Sequence, residues 1–162
     1  RKGNGLAINL SIEDNIALPN WDEFAQKGIL KRRKMRFAAE QAAASVAVKM
    51  PSVSGLVRNL SGGNQQKVVI AKWLLKNSEI FIFDEPTRGI DVGAKNEIYK
   101  LMEGLIDQGK SIIMISSEMS ELLRMSDRIL VLCEGRLTGE LDIAEATQEK
   151  IMEYAVMRSK TS

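Results

Sequence analysis

Two short stretches of this chain carry residue types that could act on a phosphate. The first is Leu60-Ser61-Gly62-Gly63-Asn64-Gln65-Gln66-Lys67. A serine followed by two glycines at a helix start exposes backbone N–H groups at the positive end of the helix dipole. The glycines let an anion approach the backbone closely. Ser-Gly-Gly alone is also an ordinary N-cap, and the longer string is the more specific signal. The second stretch is Ile80-Phe81-Ile82-Phe83-Asp84-Glu85-Pro86-Thr87. Two adjacent carboxylates close an apolar strand, at the end where α/β sheets put ligand chemistry. Neighbours on a strand point to opposite sides, so Asp84 and Glu85 cannot do the same job. One can hold Mg²⁺ through its water shell while the other orients a water against a γ-phosphate. The plainer alternative is a charged turn that ends the strand.

The elements that must position these residues are readable from pattern. Ser11-Ile12-Glu13-Asp14 resembles a capping box and opens a short helix ending near Pro19. Residues 29–50 read as a longer helix stopped by Pro51. The helix after Leu60 runs to about Lys76. From Ile80 onward strands and helices alternate. Ile80 to Phe83 and Ser111 to Ile115 read as buried strands, apolar on both faces. Ala94 to Gln108 places Ile98, Leu101, Met102 and Leu105 at the helical period. Ser117 to about Met125 is helical. Arg128 to Cys133 and Arg136 to Leu141 form a hairpin turning at Glu134-Gly135, and Thr147 caps a last helix. The alternation predicts an α/β fold with a mainly parallel sheet. The first sixty residues read as a separate helical, basic, strand-free subdomain. The expected division is a helical part at 1–77 and the rear of an α/β core at 78–162.

Composition narrows the function classes. The chain has no histidine, which removes a His-based metal site and a Ser-His-Asp triad by inventory. Cys133 is the single cysteine, so no internal disulfide forms and a reducing compartment is expected. No apolar run approaches the roughly 20 residues needed to cross a bilayer, and no secretory signal is evident. A net charge of +2 says little about partners. The first residue is Arg1 rather than Met, which suggests a piece of something longer.

Taken together, the two stretches resemble the ATP-binding cassette family. Leu60 to Lys67 is similar to its signature motif, Ile80 to Glu85 to its Walker B strand, and Thr87-Arg88-Gly89-Ile90-Asp91 to its D-loop. A narrower resemblance is to the second cassette of the fused, two-cassette ATPases of bacterial ribose, galactose and xylose importers. It rests on Asn64 to Val68, Pro86 to Lys95 and Ile115-Ser116-Ser117-Glu118. Arg1-Lys2, Gly5-Leu6 and Ser11 to Ile16 resemble the segment after the Q-loop region of that cassette.

The resemblance implies a P-loop NTPase-like cassette core, with ATP and Mg²⁺ as cofactors. Asp84 would assist the metal through water and Glu85 would polarise the attacking water. Ser61, Gly62, Gly63 and Gln65 would bind nucleotide in trans, and Asp91 would bridge two cassettes. Implied partners are a first cassette, transmembrane permease subunits and, indirectly, a periplasmic or extracellular sugar-binding protein. No nucleic acid is implied. The implied place is peripheral, on the cytoplasmic face of the membrane.

Two departures from the family pattern carry weight. No G-x-x-x-x-G-K-[ST] occurs in the sequence. Gly89 to Lys95 imitates it, but Gly93 is followed by Ala94 and Lys95 by Asn96. The family's Walker A loop would lie upstream of Arg1, so the chain alone is not expected to hold ATP tightly or to hydrolyse it. At the switch position, usually histidine, stands Ser117. A hydroxyl can donate one hydrogen bond but carries no positive charge. The expectation is an asymmetric pair of sites: the signature loop serves a partner's ATP, and Glu85 and Ser117 build a weaker site. Ser117 could also simply cap the next helix.

Lys31-Arg32-Arg33-Lys34-Met35-Arg36 is the one strong charge cluster. It reads as a solvated helical face, a surface near a permease and lipid headgroups, or a nucleic-acid contact. The last option supports a rival function in DNA repair or translation. Against it, the sequence lacks a heptad insertion and aromatic interleaving among the basic residues. A catalytically degenerate interaction domain is a second rival.

Overall fold

The computed structural model describes residues 5–26 and 28–157. It contains two compact units, one of Arg1–Phe81 with Pro86–Ile113 and one of Ile82–Glu85 with Met114–Ser162. The resemblance drawn on Arg1 and Lys2 falls outside the described residues.

The first unit begins with α1 (Ile12–Ala17), whose N-cap Ser11 accepts the Asp14 N–H at 3.1 Å. Ile12 and Ile16 are fully buried on its inner face. α2 (Trp21–Phe24) follows one turn after Pro19. β1 (Ala25–Gln26) and β2 (Ile29–Leu30) then pair antiparallel. The expectation of a strand-free front and a helix from residue 29 is therefore corrected. Gly28, at φ +78°, permits the turn, and the Lys31 N–H returns to the Phe24 carbonyl at 2.8 Å.

α3 (Arg32–Ser45) starts only after that closure. It ends well before Pro51. Ala47 takes a left-handed φ of +49°, and the Val48 N–H reaches back to the Ala43 carbonyl at 3.0 Å. Those contacts satisfy carbonyls of the last turn and stop the helix. Met35, Ala39, Ala42 and Ala43 form its buried stripe, and Ala17, Phe24 and Met35 pack as one cluster. The basic run lies on the exposed side. One member is anchored: Arg36 donates to buried Glu13 at 2.7 and 3.2 Å. That hydrogen bond, with the charge of Glu13, raises the Arg36 pKa further.

α4 (Gly62–Leu74) packs against α1 and α3. α5 (Val92–Asp107), capped by Asp91, buries Ile98, Tyr99, Met102 and Leu105. Ile98, Met102 and Leu105 are buried as the helical period implied, whereas Leu101 is only half-buried and Tyr99 joins the stripe.

β3 (Ile80–Asp84) and β4 (Ser111–Ile115) pair with each other. Bonds from Ser111 N to Glu79 O and from Glu85 N to Ile115 O, both 2.9 Å, give them a common direction. The parallel pair expected of an α/β sheet is thus present. Its burial corrects the two-faced reading, however. Phe81 and Phe83 are buried, whereas Ile80 and Ile82 are 61% and 67% exposed. Side chains alternate across a strand, and here one face alone meets a packed layer.

In the second unit, α6 (Met119–Met125) precedes an antiparallel hairpin of β5 (Arg128–Cys133) and β6 (Arg136–Asp142). Glu134 and Gly135 both have positive φ, +49° and +75°, as the predicted two-residue turn requires. α7 (Gln148–Ala155) is capped by Thr147 and lies on the hairpin. Ile129, Val131, Leu141 and Ile151 make the core there.

Candidate functional site

Ser61 is exposed and N-caps α4, its hydroxyl accepting from the Asn64 N–H at 3.4 Å and the Asn64 side-chain amide at 3.0 Å. No acidic residue stands in the first turn of α4, so the dipole's positive end is not countered locally. Asn64 ties this turn to the preceding loop, because its Oδ1 accepts the Lys49 N–H at 2.7 Å. Gly62 and Gly63 continue the turn. Gly63 lies so close to α5 that a Cβ there would sit 2.9 Å from the Ala94 Cβ. Absence of a side chain at residue 63 is therefore demanded from inside the protein.

Gln65 points elsewhere. It is buried, and its amide donates to the Leu60 carbonyl at 3.1 Å and the Val57 carbonyl at 3.4 Å. It braces the approach to the helix from beneath. Lys67, next on the same string, is also buried. Its ammonium donates to the Ala47 carbonyl at 2.9 Å and pairs with Glu97 of α5 at 2.8 Å. The hydrogen bond from Lys67 and its charge, followed by the charge of Lys49, hold the Glu97 carboxyl below its usual range. Sequence reading missed Lys67, Asn64 and Glu97 as supports. A lysine inside the otherwise inward stripe of α4 was the available signal.

Asp91 is exposed and spends Oδ1 on capping α5 through the Ala94 N–H at 2.9 Å. Thr87 and Pro86 are almost wholly buried, and the Ile90 N–H closes back on the Thr87 carbonyl at 3.3 Å. Gly89 has φ +68°, so Gly89 to Lys95 is a turn leading into α5, as its sequence context implied.

The second unit brings Glu85 and Ser117 together. The Ser117 N–H donates to Glu85 Oε1 at 3.0 Å, while the Glu85 N–H is held by the Ile115 carbonyl at 2.9 Å. Glu85 has φ +49°, an uncommon conformation for a residue with a side chain. The carboxylate is turned aside from the strand's alternation at the cost of local strain. Ser117 does not cap α6. Glu118 occupies the N-cap with no side-chain capping bond, and the Ser117 amide is directed to Glu85 instead.

Asp84 is exposed at the end of β3, with no side-chain hydrogen bond or ion pair among the described residues. Its hard oxygens suit Mg²⁺ held through water. No cluster of three or more potential metal ligands exists among the described residues. An uncountered helix N-terminus suits a phosphate equally well.

Comparison with known proteins identifies the family. A family model described as ABC transporter matches residues 3–88. A Burkholderia ambifaria protein provisionally named ribose/galactose/methyl galactoside import ATP-binding protein 3 is 57% identical over 162 residues, covering 99% of this chain and 32% of that protein. The xylose import ATP-binding protein XylG of Thermoanaerobacter pseudethanolicus is 53% identical over 152 residues, covering 94% of this chain and 30% of its own length. Among solved structures, a dimeric, post-hydrolysis state of the ATP-binding cassette MJ0796 bound to ADP and Pi aligns with a TM-score of 0.70 at 25% identity, over 85% of this chain and 59% of that one. The chain spans about a third of the length of the curated relatives it matches.

Proposed function

Since the chain belongs to the ABC transporter family, we propose that it is part of the ATP-hydrolysing subunit of a bacterial monosaccharide importer. The observation that carries the reading is Glu85, bent out of β3 and fixed through Oε1 by the Ser117 amide. A carboxylate held in that way can order a water for in-line attack. Mg-ATP, when bound, would supply the phosphoryl group and a cation that offsets its negative charge. Asp84 would hold the water shell of that cation. Ser61, Gly62 and Gly63 present the positive end of α4 to the γ-phosphate of a nucleotide held by another cassette. Asp91 lies at the junction between the two cassettes. Gln65 supports the loop and does not touch the nucleotide.

The chain has no phosphate-binding loop of its own sequence, so turnover requires one from elsewhere in the full-length polypeptide. The remaining partners are a transmembrane permease and, through it, a sugar-binding protein. None of the described helices is long and apolar enough to cross a membrane, which suits peripheral attachment at the cytoplasmic face. The names of the relatives support a ribose, galactose or xylose type of cargo.

The test compares Ser61→Arg with Glu85→Gln in the full-length polypeptide, measuring Mg-ATP hydrolysis and sugar uptake. Ser61→Arg is expected to lower hydrolysis about 100-fold, with uptake falling alongside, and Glu85→Gln to lower them less. Loss of turnover on Glu85→Gln with Ser61→Arg unaffected would overturn the asymmetry between the two sites. Full activity in both variants would overturn the function.

A further inference from the structure

The hydroxyl of Ser116 has one proton to give and two lone pairs to fill. The proton goes to Glu121 Oε2, and a lone pair accepts the Glu118 N–H at 3.0 Å. Glu121 is 2% exposed. A carboxylate taken out of water is costly unless hydrogen bonds compensate it, and here it faces the first residue of the loop before α6. Ser116 and Glu118 flank Ser117 on either side. Ser117 in turn offers its main-chain N–H, at 3.0 Å, to Glu85 Oε1. A continuous path therefore runs from Glu121 through Ser116 and the 116–118 loop to Glu85. Every member of it lies within one compact unit.

We propose that Ser116 and Glu121 are positioning residues for the hydrolytic carboxylate. They hold the 116–118 loop so that the Ser117 amide fixes Glu85 in its left-handed conformation. The consequence is specific to this chain's chemistry. With no imidazole at the switch position, main chain takes over the orientation of the glutamate, and the brace resides in the side chains on either side. The inference rests on Glu85 being the group that polarises water, and the experiment separates the two claims.

The experiment uses the full-length polypeptide with the hydrolytic glutamate of the other cassette replaced by glutamine. Turnover of Mg-ATP and hydrogen exchange of the Ser117 amide are both measured. Ser116→Ala and Glu121→Ala are expected to lower kcat about tenfold with KM within about twofold, the signature of an interaction made in the transition state. Both should speed Ser117 amide exchange by about tenfold as local opening becomes easier. Ser116→Thr keeps the hydroxyl and should recover most of each loss. Unchanged Ser117 exchange in both alanine variants would overturn the brace, whatever the turnover. So would an unchanged kcat in both while Glu85→Gln abolishes turnover. If Glu85→Gln leaves turnover intact, the role given to Glu85 fails, and amide exchange still decides whether Ser116 and Glu121 hold the loop.

Discussion

The two regions proposed to face phosphate are held in opposite ways. The Ser61 turn is secured by side chains reaching backbone: Asn64 to Lys49, Gln65 to Leu60 and Val57, Lys67 to Ala47. The surface proposed to meet a phosphate there is largely backbone. The Glu85 region is the reverse. There the working group is a side chain, and main-chain N–H groups of Glu85 and Ser117 fix it. A surface of backbone amides needs its neighbours' side chains to shape it, whereas a single carboxylate needs rigid backbone to aim it. The first region should therefore be sensitive to many substitutions that touch no nucleotide. In the second, sensitivity should concentrate on Glu85 and its brace.

The largest expected effect that could break this contrast is Ser61→Arg. An arginine at the N-cap removes the acceptor for Asn64 and fills the anion site, and loss of about 100-fold in ATP turnover is expected, in the range for losing a preorganised donor set. Equal damage from Lys67→Ala would mean that the supports matter as much as the surface.

Gly63→Ala comes next. Its Cβ would meet the Ala94 Cβ at 2.9 Å, which should cost about 1–3 kcal/mol by overpacking and displace the turn. Pairing it with Ala94→Gly should return most of the stability, read by denaturant titration of the full-length polypeptide. No recovery would place the need for glycine at the ligand side alone.

Gly139→Ala supplies the counterpart in the other unit. The new Cβ would run into the ring of Tyr154 of α7, so a loss of about 1–3 kcal/mol is again expected. With Ser116, Glu121 and Glu85 untouched, kcat should stay the same where the protein is folded. A fall in kcat would mean that the hairpin is coupled to the carboxylate.

The smallest effect is a pH dependence. Lys67, first by its hydrogen bond and then by charge, depresses the Glu97 carboxyl. A lowered folded-state pKa adds stability above the unfolded pKa, and that stability is lost as pH falls through the folded value. Glu97→Gln should flatten the acid side of the melting-temperature profile and leave neutral pH changed only modestly. The Glu97 side chain is 45% exposed, so solvent screens the pair. An unaltered acid limb would show that Glu97 adds nothing to the anchoring of α4.

Some of this was open to inspection in the residues. Ser11, Ser61 and Thr147 announce helix starts because short hydroxyl side chains satisfy N–H groups within a few residues, and each does so. Glu134-Gly135 announces its turn because few pairs accept two positive φ values in succession. The apolar run of β3 pointed to two covered faces, yet the chain supplies a layer for the Phe81 and Phe83 side only. An all-apolar pattern reports what a whole sheet would bury, and the layer for the Ile80 and Ile82 side is not built from these residues. The helix assigned to 29–50 was too long at both ends because propensity sums over a window, whereas a positive φ at Gly28 and Ala47 acts at one residue.

By itself the sequence determined the kinds of group available: backbone amides after Ser61, two adjacent carboxylates where an apolar strand ends, no imidazole anywhere. Those follow from local rules of capping, alternation and inventory, which act over a few neighbouring residues. Tertiary structure alone decided that Gln65 turns inward, that Lys67 reaches Ala47 and Glu97, and that Glu85 is held by an amide 32 residues further along the chain. Such contacts depend on which distant backbone groups packing brings within hydrogen-bond reach, and no local pattern encodes that.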